Sequence, residues 1–489
     1  MLDKLAKQTA IYGISTIVGR FLSYLLTPYY TRVFGLESYG VITDVYALIP
    51  FALVVLTMGM ESSYFRFSAK AEAAGGDVAA AKRRLFATVW GITLLAATVF
   101  FAAIVIFRHP VSAAMGEIYA QNPSYVVLVA AIILFDVGAC IPFSRLREQG
   151  KAKKFVTLKL FNIVLQTGFA FGFGAAGLFS SEFGVGWAFV ANLAASVLTF
   201  VAMMTTISGV RPRIDWVLLG SVFVYSLPLL VSGVAGTANE FIDRQMIKYL
   251  VPDGAMSQLG IYGAITKIAV VMMLFTQMYR LAAEPFFLAN YRKDDFKAMN
   301  AGALKYYIIA SMLIFLGIAL FKDLFALIVG REFRQGIFIL PVVLGANVLS
   351  GVWLNLSFWY KREERTSLAM VVTFTGLVFT VGCNIALVPR FGYYGAAWAR
   401  FASEAAMVAV SYWLNRRYYP TPYDIRRIVE YVVTALAVYA ASVVCDRALG
   451  AQWAIYCCNL CLVVLYGIYV VRREKIDLAA MMRSVLKRN

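Results

Sequence analysis

The residues with the most chemical potential in this chain are charges that sit where water is scarce. Arg20 lies near the middle of the first long apolar stretch, Ala10 to Phe34. An arginine at such a depth in a bilayer costs roughly 2.5–3.5 kcal/mol on insertion scales. Arg66, Arg244, Lys267, Arg280 and Arg400 also fall in or at the ends of apolar stretches. A basic side chain held in a medium of low dielectric attracts an anion strongly, so these six are the candidate substrate-binding residues.

Spacing sorts them. Helical neighbours lie three or four residues apart. Glu240/Arg244, Arg280/Glu284 and Arg400/Glu404 have that spacing, so each of these arginines has an acid that could neutralise it on its own helix. Arg66 has none, but it lies near a span end, where a long side chain can reach water. Arg20 and Lys267 have no acid three or four residues away, which makes them the best anion contacts. Partners from other spans, such as Asp44 or Asp136, stay open. Among the acids, Asp136 lies mid-span beside Ile132, Ile133, Ala139 and Cys140. An unpaired intramembrane carboxylate can exchange a proton, so Asp136 is the first ion-coupling candidate, with Glu61 and Asp243 behind it. Pairing of Asp136 with Arg20 is the competing structural reading.

The elements that must carry these residues are membrane helices. Apolar residues make up 61% of the 489 and charged residues only 15%. Soluble domains run about 25% charged. Apolar runs of about twenty residues recur from end to end, which predicts an all-α polytopic membrane protein with about fourteen spans. The expected spans are 9–33, 39–65, 85–107, 124–144, 155–177, 185–208, 216–250, 261–289, 303–321, 336–359, 367–388, 393–414, 428–445 and 452–471. The seventh is too long for a straight crossing, and Pro228, Gly233 and Gly236 are the expected places for a bend.

The net charge of +18 invites a nucleic-acid reading, but the positions of the charges argue against it. Most of the Lys and Arg residues gather in alternate loops: Lys4/Lys7, Lys70–Arg84, Arg145–Lys159, Arg211/Arg213, Arg292–Lys305, Lys361–Arg365, Arg416–Arg427 and the tail from Arg472 to Arg488. That alternation is the topology signal of a membrane protein and predicts two cytoplasmic termini. Lys4 and Lys7 before the first apolar run resemble a signal peptide, but the run is too long and no clear cleavage site follows, so a retained span is expected.

Several chemistries are disfavoured. His109 is the only histidine, so no His-based metal site or Ser-His triad can be built. Cys140, Cys383, Cys457, Cys458 and Cys461 fall within spans and Cys445 at a span end, so they read as small core residues. Gly172-Phe-Gly174-Ala-Ala-Gly177 matches a dinucleotide fingerprint but lies inside a span, where small residues serve helix packing. No P-loop motif occurs, so no nucleotide partner or cofactor is expected, and work must come from a gradient or a partner. Trp216 and Trp453 at span ends suit interfacial anchoring. The deeper aromatics (Tyr24, Tyr46, Tyr225 and Tyr279 among them) suit sugar stacking or core packing.

An internal repeat is visible. Leu36-Glu-Ser-Tyr-Gly-Val-Ile-Thr43 matches Leu259-Gly-Ile-Tyr-Gly-Ala-Ile-Thr266 at five of eight positions. The offset places Glu61 opposite Glu284, and Arg20 opposite Asp243. A repeat of six spans keeps both copies in the same orientation. The expected organisation is an N-lobe over 1–210, a C-lobe over 211–420, and two further spans with a tail over 421–489.

Together these features resemble the multidrug/oligosaccharidyl-lipid/polysaccharide exporter (MOP) superfamily, and within it the Wzx-type polysaccharide biosynthesis flippases. The resemblance rests on Ala10-Ile-Tyr-Gly-Ile with Arg20, Pro28-Tyr-Tyr-Thr-Arg32, Phe34-Gly-Leu-Glu-Ser-Tyr-Gly40 and Met58-Gly-Met-Glu61 to Arg66-Phe67. Asp243-Arg244 and Pro389-Arg-Phe-Gly-Tyr-Tyr-Gly395 add to it. It implies two six-helix lobes around a cavity, alternating access, and no enzymatic activity. It implies transport of an undecaprenyl-pyrophosphate-linked oligosaccharide, such as a polysaccharide or O-antigen (lipopolysaccharide) repeat unit, across the bacterial inner membrane. A proton or sodium gradient would drive it, and membrane lipids and glycan-assembly proteins are the expected partners. The alternatives are a lipid II flippase, a MATE-type drug or metabolite antiporter and, further off, a membrane glycan polymerase or ligase.

Overall fold

In the computed structural model, residues 24, 26–207, 209–289, 295–363, 365 and 367–475 are described, and everything among them is helix, turn or loop. The helices are α1 (Leu26–Val33), α2 (Leu36–Thr57), α3 (Met60–Ala74), α4 (Val78–Ile106), α5 (Pro123–Glu148), α6 (Ala152–Ala175), α7 (Gly186–Ile207) and α8 (Trp216–Leu250). They continue with α9 (Ala255–Ile268), α10 (Val270–Ala289), α11 (Phe296–Ala319), α12 (Leu340–Leu356), α13 (Ser367–Tyr418), α14 (Ile425–Ala448) and α15 (Gln452–Glu474). Short helical segments fill some connections. The all-α membrane fold expected from composition is present.

Among the described residues, eleven helical segments are long and apolar enough to cross a membrane, or twelve if the bent pair α9–α10 is one span. α13 has 52 residues and is too long for a single crossing at about 1.5 Å per residue. It breaks at Gly392, whose φ of 56° and ψ of −136° lie outside the helical region, so it supplies two of the spans expected from sequence. Most of the first expected span, with Arg20, lies outside the described residues. α8 runs unbroken through Pro228.

Large apolar side chains such as Val99, Val164, Val224 and Phe374 remain more than half exposed. In a water-soluble protein that would be a liability; here they form the lipid-facing surface.

The chain divides into two compact units. One comprises residues 1–263 and 388–393, the other 264–387 and 394–489. In unit 1, α2 and α9 approach through the repeat motifs themselves. A Cβ on Gly40 would lie 2.0 Å from the Met256 carbonyl oxygen, and one on Gly260 would lie 2.2 Å from that of Leu36. Only glycine permits so close a backbone approach. Behind these helices, Met60, Tyr64, Phe86, Trp90, Ile141 and Phe143 form an apolar core, and the Trp90 indole donates to the Gly138 carbonyl at 2.9 Å. In unit 2, the core gathers around Phe287, Phe296, Phe358, Trp359 and Tyr419.

Candidate functional site

A break in the second span sets up the site. Met58 and Gly59 both adopt left-handed backbone, with φ of 51° and 69°, and end α2 before α3 begins. Gly59 also packs against α8, where a Cβ would meet the Ser226 carbonyl oxygen at 2.9 Å. The break places Glu61 in the first turn of α3, a helix N-terminus that favours a carboxylate.

Glu61 opens into a cavity of about 410 Å³ inside unit 1, lined by α2, α3, α5, α6 and α7. Arg147 donates from Nη2 to Glu61 Oε2 at 2.9 Å, and the Cys140 thiol donates to the other carboxylate oxygen. Asp136 lies deeper on the same face of α5 and accepts a 2.8 Å hydrogen bond from the Ser196 hydroxyl. Asn162 and Thr199 close the wall with a 3.1 Å bond. Lys159 also lines the cavity, its ammonium 4.3 Å from the centre of the Phe143 ring. Two carboxylates and two cations thus share one space in the membrane. Such a balanced set can pass a proton or take up a small cation without leaving a large uncompensated charge.

A second buried constellation lies at the opposite end of α2. Asp44 and Lys248 form an ion pair at 2.6 Å, with side chains 2% and 5% exposed. Gln245 donates to Asp44 Oδ1 at 2.6 Å, and the Tyr119 hydroxyl donates to Oδ2 at 2.7 Å. The Lys248 ammonium lies 4.6 Å from the centre of the Tyr119 ring. This cluster ties α2, α8 and the short helix Glu117–Gln121 together. Asp44 is therefore held by Lys248.

The residues singled out from sequence are dispersed. Arg20 and the side chain of Glu240 lie outside the described residues. Asp136 and Glu61 share the cavity. Asp243 is buried and Arg244 partly buried in α8, within electrostatic reach of Tyr39. Arg66 stacks 4.0 Å above the Tyr225 ring. Lys267 sits partly buried in the last turn of α9. Arg280 pairs with Glu284 at 3.4 Å, one turn along α10. Arg400 donates to Asn347 Oδ1 at 3.3 Å.

Sequence reasoning missed three participants. By sequence, Arg147 and Lys159 belong to a loop cluster that reads as a topology signal. Yet Asp136, Cys140, Phe143 and Arg147 follow a spacing of four, three and four, which puts them on one helical face. Lys248 has no acid three or four residues away, so the test that selected Lys267 would have selected it too.

Comparison with known proteins bears on what this arrangement serves. A sequence model of polysaccharide biosynthesis proteins matches residues 5–290, more than half of the chain. The chain belongs to the polysaccharide biosynthesis protein family. It is also 22% identical over 406 residues to a Haloferax volcanii protein described as the probable low-salt glycan biosynthesis flippase Agl15, covering 82% of this chain and 81% of that one. Among solved structures, the lipid II flippase MurJ in an inward closed conformation aligns with a TM-score of 0.77 at 13% identity, over 96% of this chain and 100% of its own. An inward-facing MATE transporter of the MOP superfamily aligns with a TM-score of 0.67 at 14% identity, over 82% and 94%. The fold of this family member is thus that of the MOP exporters, with about fourteen helices. Family and fold place it among membrane flippases and exporters rather than enzymes.

Proposed function

We propose that the protein flips a lipid-linked oligosaccharide, an undecaprenyl-pyrophosphate-linked polysaccharide or O-antigen repeat unit, from the cytoplasmic to the periplasmic leaflet of a bacterial inner membrane by alternating access. Membership of a polysaccharide biosynthesis family carries the reading. The charge pattern supports it. A pyrophosphate is a multivalent anion, and basic residues inside spans suit it better than they suit a cationic drug. Arg20 is the proposed central contact, with Arg66, Arg244, Lys267, Arg280 and Arg400 as further candidates. The lobes over 1–210 and 211–420 would alternate around the substrate, and both termini would face the cytoplasm.

The charge-balanced cavity around Asp136 and Glu61 serves coupling in this reading. Its two carboxylates are matched by Arg147 and Lys159, so it offers no net attraction to a pyrophosphate. It suits a proton or sodium ion whose movement drives the cycle.

Deletion of the gene, with the lipid-linked glycan followed across the two leaflets, tests the proposal. The intermediate should build up on the cytoplasmic face; no build-up overturns the assignment. Arg20→Ala should abolish export at unchanged protein level, and Arg20→Lys should retain part of it. A lipid II flippase would handle the same pyrophosphate-lipid chemistry, and its deletion would instead raise the peptidoglycan precursor.

A further inference from the structure

A second cavity, of about 770 Å³, opens at the end of unit 1 where the basic loops gather. That gathering is physical. Lys82 meets Glu148, Arg84 meets Asp215, and Arg145 donates to the Ile207 carbonyl at 3.2 Å. The cavity lies between the start of α4 and the segment that leads from α7 into α8. Four arginines line it: Arg83, Arg84, Arg211 and Arg213. Asp215 is the one acid in its lining, and its carboxylate is already taken by Arg84 and by the Val217 and Leu218 amides that it caps.

The leading segment is fixed rather than loosely draped. The Arg213 amide donates to the Ala87 carbonyl at 3.2 Å, and the Asp215 amide to the Thr88 hydroxyl at 3.3 Å. A Cβ on Gly91 would lie 3.2 Å from Ile214 and 3.4 Å from the Arg213 nitrogen, so α4 and the segment are in close contact. Arg83 is oriented by the Gly209 carbonyl at 3.5 Å. Arg211 and Arg213 are exposed and form no ion pair or side-chain hydrogen bond among the described residues. Immediately beyond Asp215, Trp216 and Val217 are 69% and 84% exposed, which marks the level of the membrane interface.

We infer that this cavity is a binding site for the phosphate of an anionic lipid in the leaflet beside it. Four features coincide there. The cavity is concave, it carries an excess of guanidinium over carboxylate, its backbone is held in place, and it stands next to a lipid-facing tryptophan. Guanidinium forks match phosphate oxygens bidentately, and basic pockets between spans at the cytoplasmic surface take anionic headgroups. Charges that only set topology need neither a pocket nor a pinned backbone. The site does not depend on the transport reading, because binding is measured without flux.

The test uses the full chain purified in detergent, stripped of lipid and titrated with phosphatidylglycerol or phosphatidylcholine, with bound lipid counted by native mass spectrometry. Phosphatidylglycerol should be preferred, and R211Q/R213Q should weaken it about fivefold per arginine removed. K153Q/K154Q removes two exposed lysines from the same face and should leave the preference intact. R211K/R213K, which keeps the charge, should retain most of it, and equal thermal melting of all variants excludes misfolding. Displacement of phosphatidylglycerol by farnesyl pyrophosphate, and not by inorganic phosphate, would extend the site to polyprenyl pyrophosphates. No displacement by either would assign it to bilayer phospholipid. Absence of any preference in the unmodified protein, or an equal loss in K153Q/K154Q, overturns the proposal.

Discussion

The interiors of the two units solve the same problem differently. Both must bury polar groups within membrane helices. Unit 1 does it with charges: the Asp44–Lys248 pair, and the cavity shared by Glu61, Asp136, Arg147 and Lys159. The interior of unit 2 around Tyr307 adds neutral groups to its charges, for Arg400 binds Asn347 and Glu404 acts electrostatically on Tyr307. Thr276 and Tyr307 share a hydrogen bond of 2.9 Å, Tyr307 donates to the Val348 carbonyl at 3.3 Å, and Asn355 donates to Tyr279 at 2.6 Å. Neutral hydrogen bonds hold helices together at modest desolvation cost. Charges cost far more to bury, so fixing helices is a weak reason to keep them there. The contrast singles out the unit 1 cavity, where two carboxylates and two cations meet, as a place in which charge must respond to something.

Five substitutions would break or sharpen that contrast. Lys248→Met leaves Asp44 buried without its cation, and should cost about 3–5 kcal/mol, read as a lower unfolding temperature in detergent. Asp44→Leu combined with Lys248→Met should recover most of the loss; if it does not, the pair is more than a mutual neutralisation. In unit 2, Tyr279→Phe removes only a neutral partner from Asn355 and should cost about 1–2 kcal/mol in the same assay. A larger loss there would erase the distinction between the units.

Asp136→Asn keeps an acceptor for Ser196 and should shift stability by under about 1 kcal/mol, while abolishing gradient-driven transport. Retained transport would remove Asp136 from the coupling role. The smallest effect belongs to Asp215, outside the spans. The Leu218 amide, with help from Arg84, holds its carboxyl below the usual carboxylate range. A depressed value means that its contribution is present above the ordinary aspartate range and fades as pH falls through the depressed one. Asp215→Asn should therefore melt slightly below the parent protein at neutral pH and converge with it in strong acid, in a melting series across pH.

Much of the fold was legible because a bilayer imposes simple rules. Apolar runs of span length must be helices, and loop arginines and lysines mark one side. The long run 367–414 was divided into two spans from sequence, and the Gly392 break falls between them. The octapeptide repeat identified the segments whose glycines bring α2 and α9 into contact. The site was less legible. Glu61 and Asp136 lie 75 residues apart in sequence, and their common cavity exists only because α3 and α5 pack together.

The sequence by itself determined that this chain lives in a membrane, how often it crosses, and which side chains are expensive enough to need a purpose. Those follow from transfer energies and from local spacing, which each segment carries alone. Only the tertiary structure decided which charges meet. Lys248 found Asp44 across about two hundred residues, Arg147 found Glu61, and Arg211 and Arg213 came to line a pocket instead of a convex surface. Burial and Coulomb energy depend on neighbours brought close by packing, and neither composition nor helical periodicity contains that distance.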